Sequence, residues 1–307
     1  MSFDIVGDVH GHADSLKALL RSLDYEERNG VWRHGEDRRV IFVGDLIDRG
    51  PAQLETVAIV RRMIEADTAR IVIGNHEFNA VAFATLDPGN PGRHFRQRKG
   101  NNVLHHSVFL DAVGGADTPL HRELIDFFRA MPLWLDLPEL RVVHACWSSQ
   151  AMAALQGHVD NEGRLTDAGF MMALSRGTPA YEACETLLKG PEMALPAGIW
   201  YRDAQGSKRK RCRTRWWDAT ANTLRSACTE EDIAGQLPDD PLPPDTEISL
   251  DDSKPLFFGH YWMQGVPSLT SNKLTCLDFS IAKGGVLCAY RFDGESELQT
   301  PRLRWVS

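Results

Sequence analysis

The sequence predicts an α/β fold with parallel strands, on three observations. Three short apolar runs, Phe3-Asp4-Ile5-Val6, Val40-Ile41-Phe42-Val43 and Ile71-Val72-Ile73, read as buried strands. The segments between them carry apolar residues at helical spacing: Leu16, Leu19, Leu20 and Leu23 in 13–23, and Leu54, Val57, Ile59, Val60, Met63 and Ile64 in 52–66. Connections of that length join parallel neighbours through right-handed crossovers. Each run also ends in a polar string: Gly-Asp-Val-His-Gly at 7–11, Gly-Asp-Leu-Ile-Asp-Arg-Gly at 44–50 and Gly-Asn-His-Glu at 74–77. In open α/β sheets, ligands bind at that edge.

Beyond residue 90 the pattern predicts helices near 103–113 and 121–130, then strands over 132–137 and 140–143 joined by Pro138-Glu139, with His144 next. Residues 150–198 are rich in Ala, Met and Gly and read as largely helical, whereas 202–254 are irregular. That stretch holds a basic run, Ser207 to Arg215, followed by Trp216-Trp217, and a Pro/Asp-rich loop over 238–245. A strand resumes at 255–258 and ends in Gly259-His260; 274–279 and 285–292 then alternate as a β-hairpin would, with Lys283-Gly284-Gly285 as the turn. Candidate ligands run from Asp8 to His260, so a site drawing on both ends implies one domain, 1–307, with a helical and loop insertion at about 150–254.

Composition excludes several classes. With 43% hydrophobic residues in 307, a large core is available and wholesale disorder is not expected. A net charge of −8 disfavours general affinity for nucleic acid or anionic membrane. No run of about 18 apolar residues is present, so no spanning helix is expected, and a first strand near residue 3 leaves no room for a signal peptide. Six cysteines without a C-x-x-C pair suit a reduced intracellular pool. The expectation is a cytoplasmic protein with no membrane partner.

The polar strings form a metal-and-acid inventory. Asp8 and His10, two apart at a strand exit, point to one side and can share a cation. Asp45 has two oxygens and can bridge two cations; Asn75 offers an amide oxygen; His144 and His260, each at a strand end, complete a second site. Mixed oxygen and imidazole ligands suit manganese, iron or zinc better than calcium or copper, with nickel a further candidate. Two such cations activate water for in-line attack on phosphorus. His76 is placed to protonate the leaving oxygen, Asp48 to orient its imidazole, and Arg49 to fork phosphate oxygens, with Asn75 a further phosphate-binding candidate. A second arginine is expected for the spread of charge: Arg202 first, with Arg213 and Arg215 as alternatives.

These motifs resemble the phosphoprotein phosphatase branch of the calcineurin-like metallophosphoesterases, whose Gly-Asp-x-His-Gly, Gly-Asp-x-x-Asp-Arg-Gly, Gly-Asn-His-Glu and two later histidines all stand here in order, at 7–11, 44–50, 74–77, 144 and 260. The resemblance implies a four-layer α/β/β/α sandwich of two mixed sheets, with Asp8, His10 and Asp45 on one metal and Asp45, Asn75, His144 and His260 on the other. Ile73-Gly74 stands where eukaryotic Ser/Thr phosphatases have arginine before the third motif, and Ala145-Cys146 stands where they have two glycines. The later segments are closer to bacterial and phage-type phosphatases and to symmetrical diadenosine tetraphosphate hydrolases. The first functional expectation is therefore hydrolysis of phosphomonoesters, protein phosphoserine or phosphothreonine included. The alternative is hydrolysis of dinucleoside polyphosphates or nucleotides, and the last is a non-catalytic metal-binding scaffold.

Bland readings stand beside these. His94, His105 and His106 read as helix-surface residues without a role. The basic run reads as a solvated loop over a buried tryptophan pair, with a rim that attracts polyphosphate or nucleic acid, a tryptophan stacking on bases, as the sharper reading. Trp147, Trp200 and Trp262 flank site residues and either wall a pocket or fill the core.

Overall fold

The computed structural model describes residues 2–202, 206, 208–243, 246 and 253–307. Ser207 of the basic run, and Pro244 and Asp245 of the Pro/Asp-rich loop, lie outside the described residues.

Two mixed sheets form the centre. In the first, Phe3–Val6 pairs parallel with Arg39–Phe42, which pairs parallel with Ala69–Ile71; on its other side Phe3–Val6 runs antiparallel to Val286–Phe292. Val286–Phe292 also takes Asp278–Phe279 and Leu303–Val306. The second sheet orders Leu274–Cys276, Leu256–Phe258, Arg141–Val143 and Trp134–Asp136, parallel except for the last pair.

Alternation along each strand builds the layers. Phe3, Ile5 and Ile41 share a buried cluster with Leu140, Val142 and Phe257, which is the seam where the sheets face each other. Val6, Val40 and Phe42 point the other way, into the cluster holding Leu16, Leu19 and Leu20 of helix Ala13–Ser22 and Val57, Val60 and Met63 of helix Gln53–Glu65. Val143, Leu256 and Phe258 likewise point outward, toward helices Ser149–Ala154, Asp167–Leu174 and Pro179–Lys189. The result is the four-layer α/β/β/α sandwich expected from the motifs. Burying a phenylalanine such as Phe257 in such a seam stabilises by about 1.5–3 kcal/mol.

The later helices are set by caps. Thr118 and Thr178 each accept an N–H from the first turn of a helix with proline at its start, Pro119–Arg129 and Pro179–Lys189. At the sheet end remote from the polar loops, buried Arg38 donates to both oxygens of Asp4 at 3.1 Å, and Tyr25 donates to Asp4 at 3.0 Å.

The hairpin expected over 274–292 is corrected. Leu274–Cys276 belongs to the second sheet, the chain crosses at Leu277 in the seam, and only Asp278–Phe279 pairs with Val286–Phe292. Residues 274–279 keep an extended pattern throughout, and that pattern carries no mark of which sheet each half joins. The 150–254 stretch adds short strand pairs, Glu192–Ala194 with Arg211–Arg213 and Tyr201–Arg202 with Lys208–Arg209, over a small cluster of Met193, Cys212, Cys228, Ile233 and Leu237. Buried Trp216 ties this stretch to the second sheet: its Nε1 donates to the Ala145 carbonyl at 3.1 Å and its ring lies 5.0 Å from that of Phe258.

Candidate metal centre and phosphate site

The loops after Phe3–Val6, Arg39–Phe42 and Ala69–Ile71 meet those after Arg141–Val143 and Leu256–Phe258 at one edge of the sandwich. Asp45 lies at the centre. Its Oδ2 is 3.6 Å from His10 Nε2 and its Oδ1 is 3.4 Å from His144 Nε2, so its two oxygens face different imidazoles. Asn75 Oδ1 lies 3.1 Å from His144 Nε2, and the His144 and His260 rings meet edge-on at 5.2 Å. All of these side chains are buried.

These loops bend sharply. Of eleven non-glycine residues with positive φ among the described residues, six are His10, Asp45, Asp48, Arg49, His260 and Trp262. Such conformations cost about 1–3 kcal/mol each and persist where the surroundings over-determine them. Glu77 supplies part of that hold. Its buried carboxylate accepts the N–H groups of Gly74, Asp45 and Leu46 at 3.0, 2.9 and 2.8 Å, clamping the second motif to helix Asn75–Ala84. Burial, then the Asp45 charge, raise its pKa to about 7. Two glycines are required by close approach: a Cβ on Gly74 would strike the Asp45 side chain, and one on Gly259 would strike the Asp8 carboxylate.

The donor set fits divalent cations. His10 Nδ1 donates to the Ile47 carbonyl at 3.0 Å and His144 Nδ1 to the Val43 carbonyl at 2.8 Å, which turns both Nε2 atoms toward Asp45. His10 Nε2 and His260 Nε2 are buried without a hydrogen-bond partner. Two groups have ligand atoms within 4.8 Å of one another: His10, Asp45 and His76; and Asp45, His144 and His260. Asp8 lies outside both groups, with Oδ2 accepting the His260 N–H at 3.1 Å. Burial, then Asp278, raise the pKa of Asp8. Burial lowers His10 to about 3 and pushes His260 below its usual range. Burial would do the same to His144, but the Asp45 charge outweighs it and lifts His144 to about 10; burial of Asp45 is in turn outweighed by His144 and His76, which hold its carboxyl low. Crowded carboxylates and unpartnered imidazole lone pairs are what a cation would satisfy.

Beside this cluster, His76 Nδ1 meets Asp48 Oδ2 at 2.6 Å, and Arg49 Nη2 lies 3.3 Å from His76 Nε2. A guanidinium only donates, so Nε2 accepts and Nδ1 carries the proton toward Asp48. Asp48 is buried, yet bonds to His106 and His76 hold its carboxyl below the usual range. His106 corrects the sequence reading: it is buried, not on a helix surface, and its Nδ1 meets Asp48 Oδ1 at 2.9 Å. The signal missed was helical phase, since His106 shares the inner face of Asn101–Ala112 with Phe109. Arg202 stands apart: its exposed side chain donates to the Gly206 carbonyl at 2.6 Å and lies over Trp200. Arg213 is nearer; its charge lowers the His260 pKa second only to burial, and its buried Nε lacks a hydrogen-bond partner. Trp147 is core, Trp200 is exposed, and Trp262 stacks on Arg49 with the guanidinium carbon 4.7 Å from the ring centre.

A two-sheet sandwich with acidic, amide and imidazole side chains gathered at one edge defines a metallophosphoesterase class. Residues 1–157 match the calcineurin-like phosphoesterase family, and the chain belongs to it. It is 34% identical over 154 residues to an asymmetrical bis(5'-nucleosyl)-tetraphosphatase of Bacillus velezensis, covering 47% of this chain and 56% of that one. It is 30% identical over 211 residues to a symmetrical bis(5'-nucleosyl)-tetraphosphatase of Janthinobacterium sp. (strain Marseille), covering 67% of this chain and 61% of that one. The match thus spans little more than half the length of these relatives. A protein serine/threonine phosphatase structure from Saccharomyces cerevisiae shares the fold, with a TM-score of 0.51 at 12% identity, covering 100% of this chain and 79% of that one. Among the described residues, no helix is long and apolar enough to cross a membrane.

Proposed function

We propose that the chain hydrolyses dinucleoside polyphosphates, using two divalent cations, with manganese the first candidate. The observation that carries the metal part is Asp45, whose two oxygens face the Nε2 atoms of different histidines. The named activity of the tetraphosphatase relatives supports the substrate. Asp8, His10 and Asp45 would hold one cation, and Asp45, Asn75, His144 and His260 the other. Cations so held supply Lewis acidity to phosphate oxygens and make bound water more acidic.

The remaining work falls to side chains. Arg49 forks the oxygens of the reacting phosphate, and Arg213 rather than Arg202 shares that charge, a role supported by its unpartnered buried Nε. Once Arg49 turns to substrate, His76 Nε2 is released to carry a proton to the leaving oxygen, with Asp48 stabilising the imidazolium through Nδ1. Six buried cysteines in thiol form support a reducing, cytoplasmic setting. The Asp48–His76 pair favours a second reading, hydrolysis of a phosphomonoester, because an alkoxide leaving group needs a proton more than a phosphate does.

Chromatography of products from a panel run with manganese tests this. Diadenosine tetraphosphate should be cleaved, to two ADP or to ATP and AMP. Turnover far below that of phosphopeptides would replace this reading with the phosphomonoester one.

A further inference from the structure

Two cations share one indole beside the proposed site. The segment after His260 and the segment after Leu277 turn toward each other and are stitched together. The Asp278 carboxylate accepts the N–H of Trp262 at 3.1 Å and that of Ser280 at 2.9 Å. Met263 N–H donates to the Asp278 carbonyl at 2.8 Å, and the Ser280 hydroxyl to the Met263 carbonyl at 3.2 Å. His260, Trp262 and Ser280 all take left-handed backbone, with φ of 71°, 44° and 62°. None is glycine; the bonds to Asp278 and Met263 hold the turns at Trp262 and Ser280, and the bond to Asp8 holds the one at His260.

The product is a fixed ring against which two cationic side chains rest. The Arg49 guanidinium carbon is 4.7 Å from the Trp262 ring centre and Lys283 Nζ is 3.3 Å from it. The two charges therefore lie within about 8 Å of each other, each oriented by the same π-face field. Arg49 also touches His76, which sets it at the reacting phosphate. Lys283 is the exposed last residue of the short helical turn Ile281–Lys283, whose first residue, Ile281, is buried. Partial desolvation and then the Arg49 charge lower the Lys283 pKa, while Asp278 and Glu230 are the carboxylates that face it. Asp278 already serves two N–H groups, so an anion with charge on two centres would relieve the remaining repulsion.

We propose that Trp262 and Lys283 extend the phosphate site by one position, Arg49 holding the phosphate that reacts and Lys283 the next phosphate of a chain, so that the site selects polyphosphates over a lone phosphate. This rests on the phosphohydrolase reading above and names the substrate feature it recognises. Lys283 is the binding group and Trp262 a positioning residue.

The test is calorimetric titration of the full chain with inorganic tripolyphosphate and with orthophosphate, at constant free manganese. The wild type should bind tripolyphosphate more tightly. Lys283→Gln should lower the tripolyphosphate-to-orthophosphate affinity ratio about tenfold, Lys283→Arg should restore most of it, and Trp262→Leu should lower it while Trp262→Phe retains it. An unchanged ratio in Lys283→Gln, a ratio equally lost in Lys283→Arg, or no preference in the wild type would overturn the proposal. Cleavage of diadenosine tetraphosphate is read separately, so failure of that reading leaves this binding result interpretable.

Discussion

Replacing Asp48 with asparagine removes one carboxylate that serves two imidazoles. Oδ2 accepts from His76 Nδ1 at 2.6 Å and Oδ1 from His106 Nδ1 at 2.9 Å. An asparagine carbonyl accepts from only one of them, and its NH2 confronts the other. The volume is unchanged, so packing against helix Asn101–Ala112 should survive. What is lost is a buried charge-assisted bond to the imidazolium that forms as His76 takes up its proton, worth about 1.5–3 kcal/mol. At about 1.4 kcal/mol per decade, kcat should fall roughly ten- to hundredfold. The assay is a series of aryl phosphates of rising leaving-group pKa, with manganese content measured on each preparation. Phenyl phosphate, whose leaving phenol has a pKa near ~10, should show the full loss, whereas a nitrophenyl phosphate should show little. An equal loss across the series at equal metal content would refute the acid role of His76 and leave Asp48 as a structural anchor.

Other outcomes follow from the same geometry. Arg38→Ala should destabilise the fold by about 3 kcal/mol in urea unfolding, because buried Asp4 keeps only the Tyr25 hydroxyl at 3.0 Å and Arg291 at 3.6 Å; a loss below about 1 kcal/mol would mean that those two groups satisfy Asp4. His121 is buried, accepts the Asp117 N–H at 3.3 Å, and has its pKa lowered by burial and then by His106. Its folded pKa lies below its unfolded one, so its contribution is present above about pH 6.5 and is lost as pH falls through the folded value. His121→Gln should therefore flatten the acid side of the Tm profile, and an identical profile would reject this. Gly259→Ala should drive a Cβ into the Asp8 carboxylate and weaken manganese binding without a matching drop in Tm; unchanged manganese affinity would show that the loop gives way.

The edge of the first sheet was legible because each motif joins a strand end to ligand-type residues, and strand ends are what periodicity marks best. The three strands and two helices expected over the first seventy-three residues lie within two or three residues of the pattern. The hairpin Tyr25–Arg28 with Val31–His34 was not expected: its turn, Asn29-Gly30, has positive φ at both residues, but its strands are charged and show little apolar alternation. The crossing at Leu277 was not legible, since both sheets ask for the same extended pattern. His106 was missed for another reason: its phase with Phe109 marks the inner face of the helix, but its partner Asp48 is 58 residues away and no local pattern names it. Glu77 stood inside a motif, yet its clamp on the 44–47 loop is a tertiary contact. In the 192–242 stretch the strands are two or three residues long, too short for a period to register.

Two cations sharing the Asp45 carboxylate are the centre of the proposed site, and metal stoichiometry tests this most directly. Manganese measured per chain after equilibrium dialysis, for wild type and Asp45→Asn, should give two ions falling to one or none, with the folded far-UV signal retained. A single ion in the wild type, or two in both proteins, would contradict it.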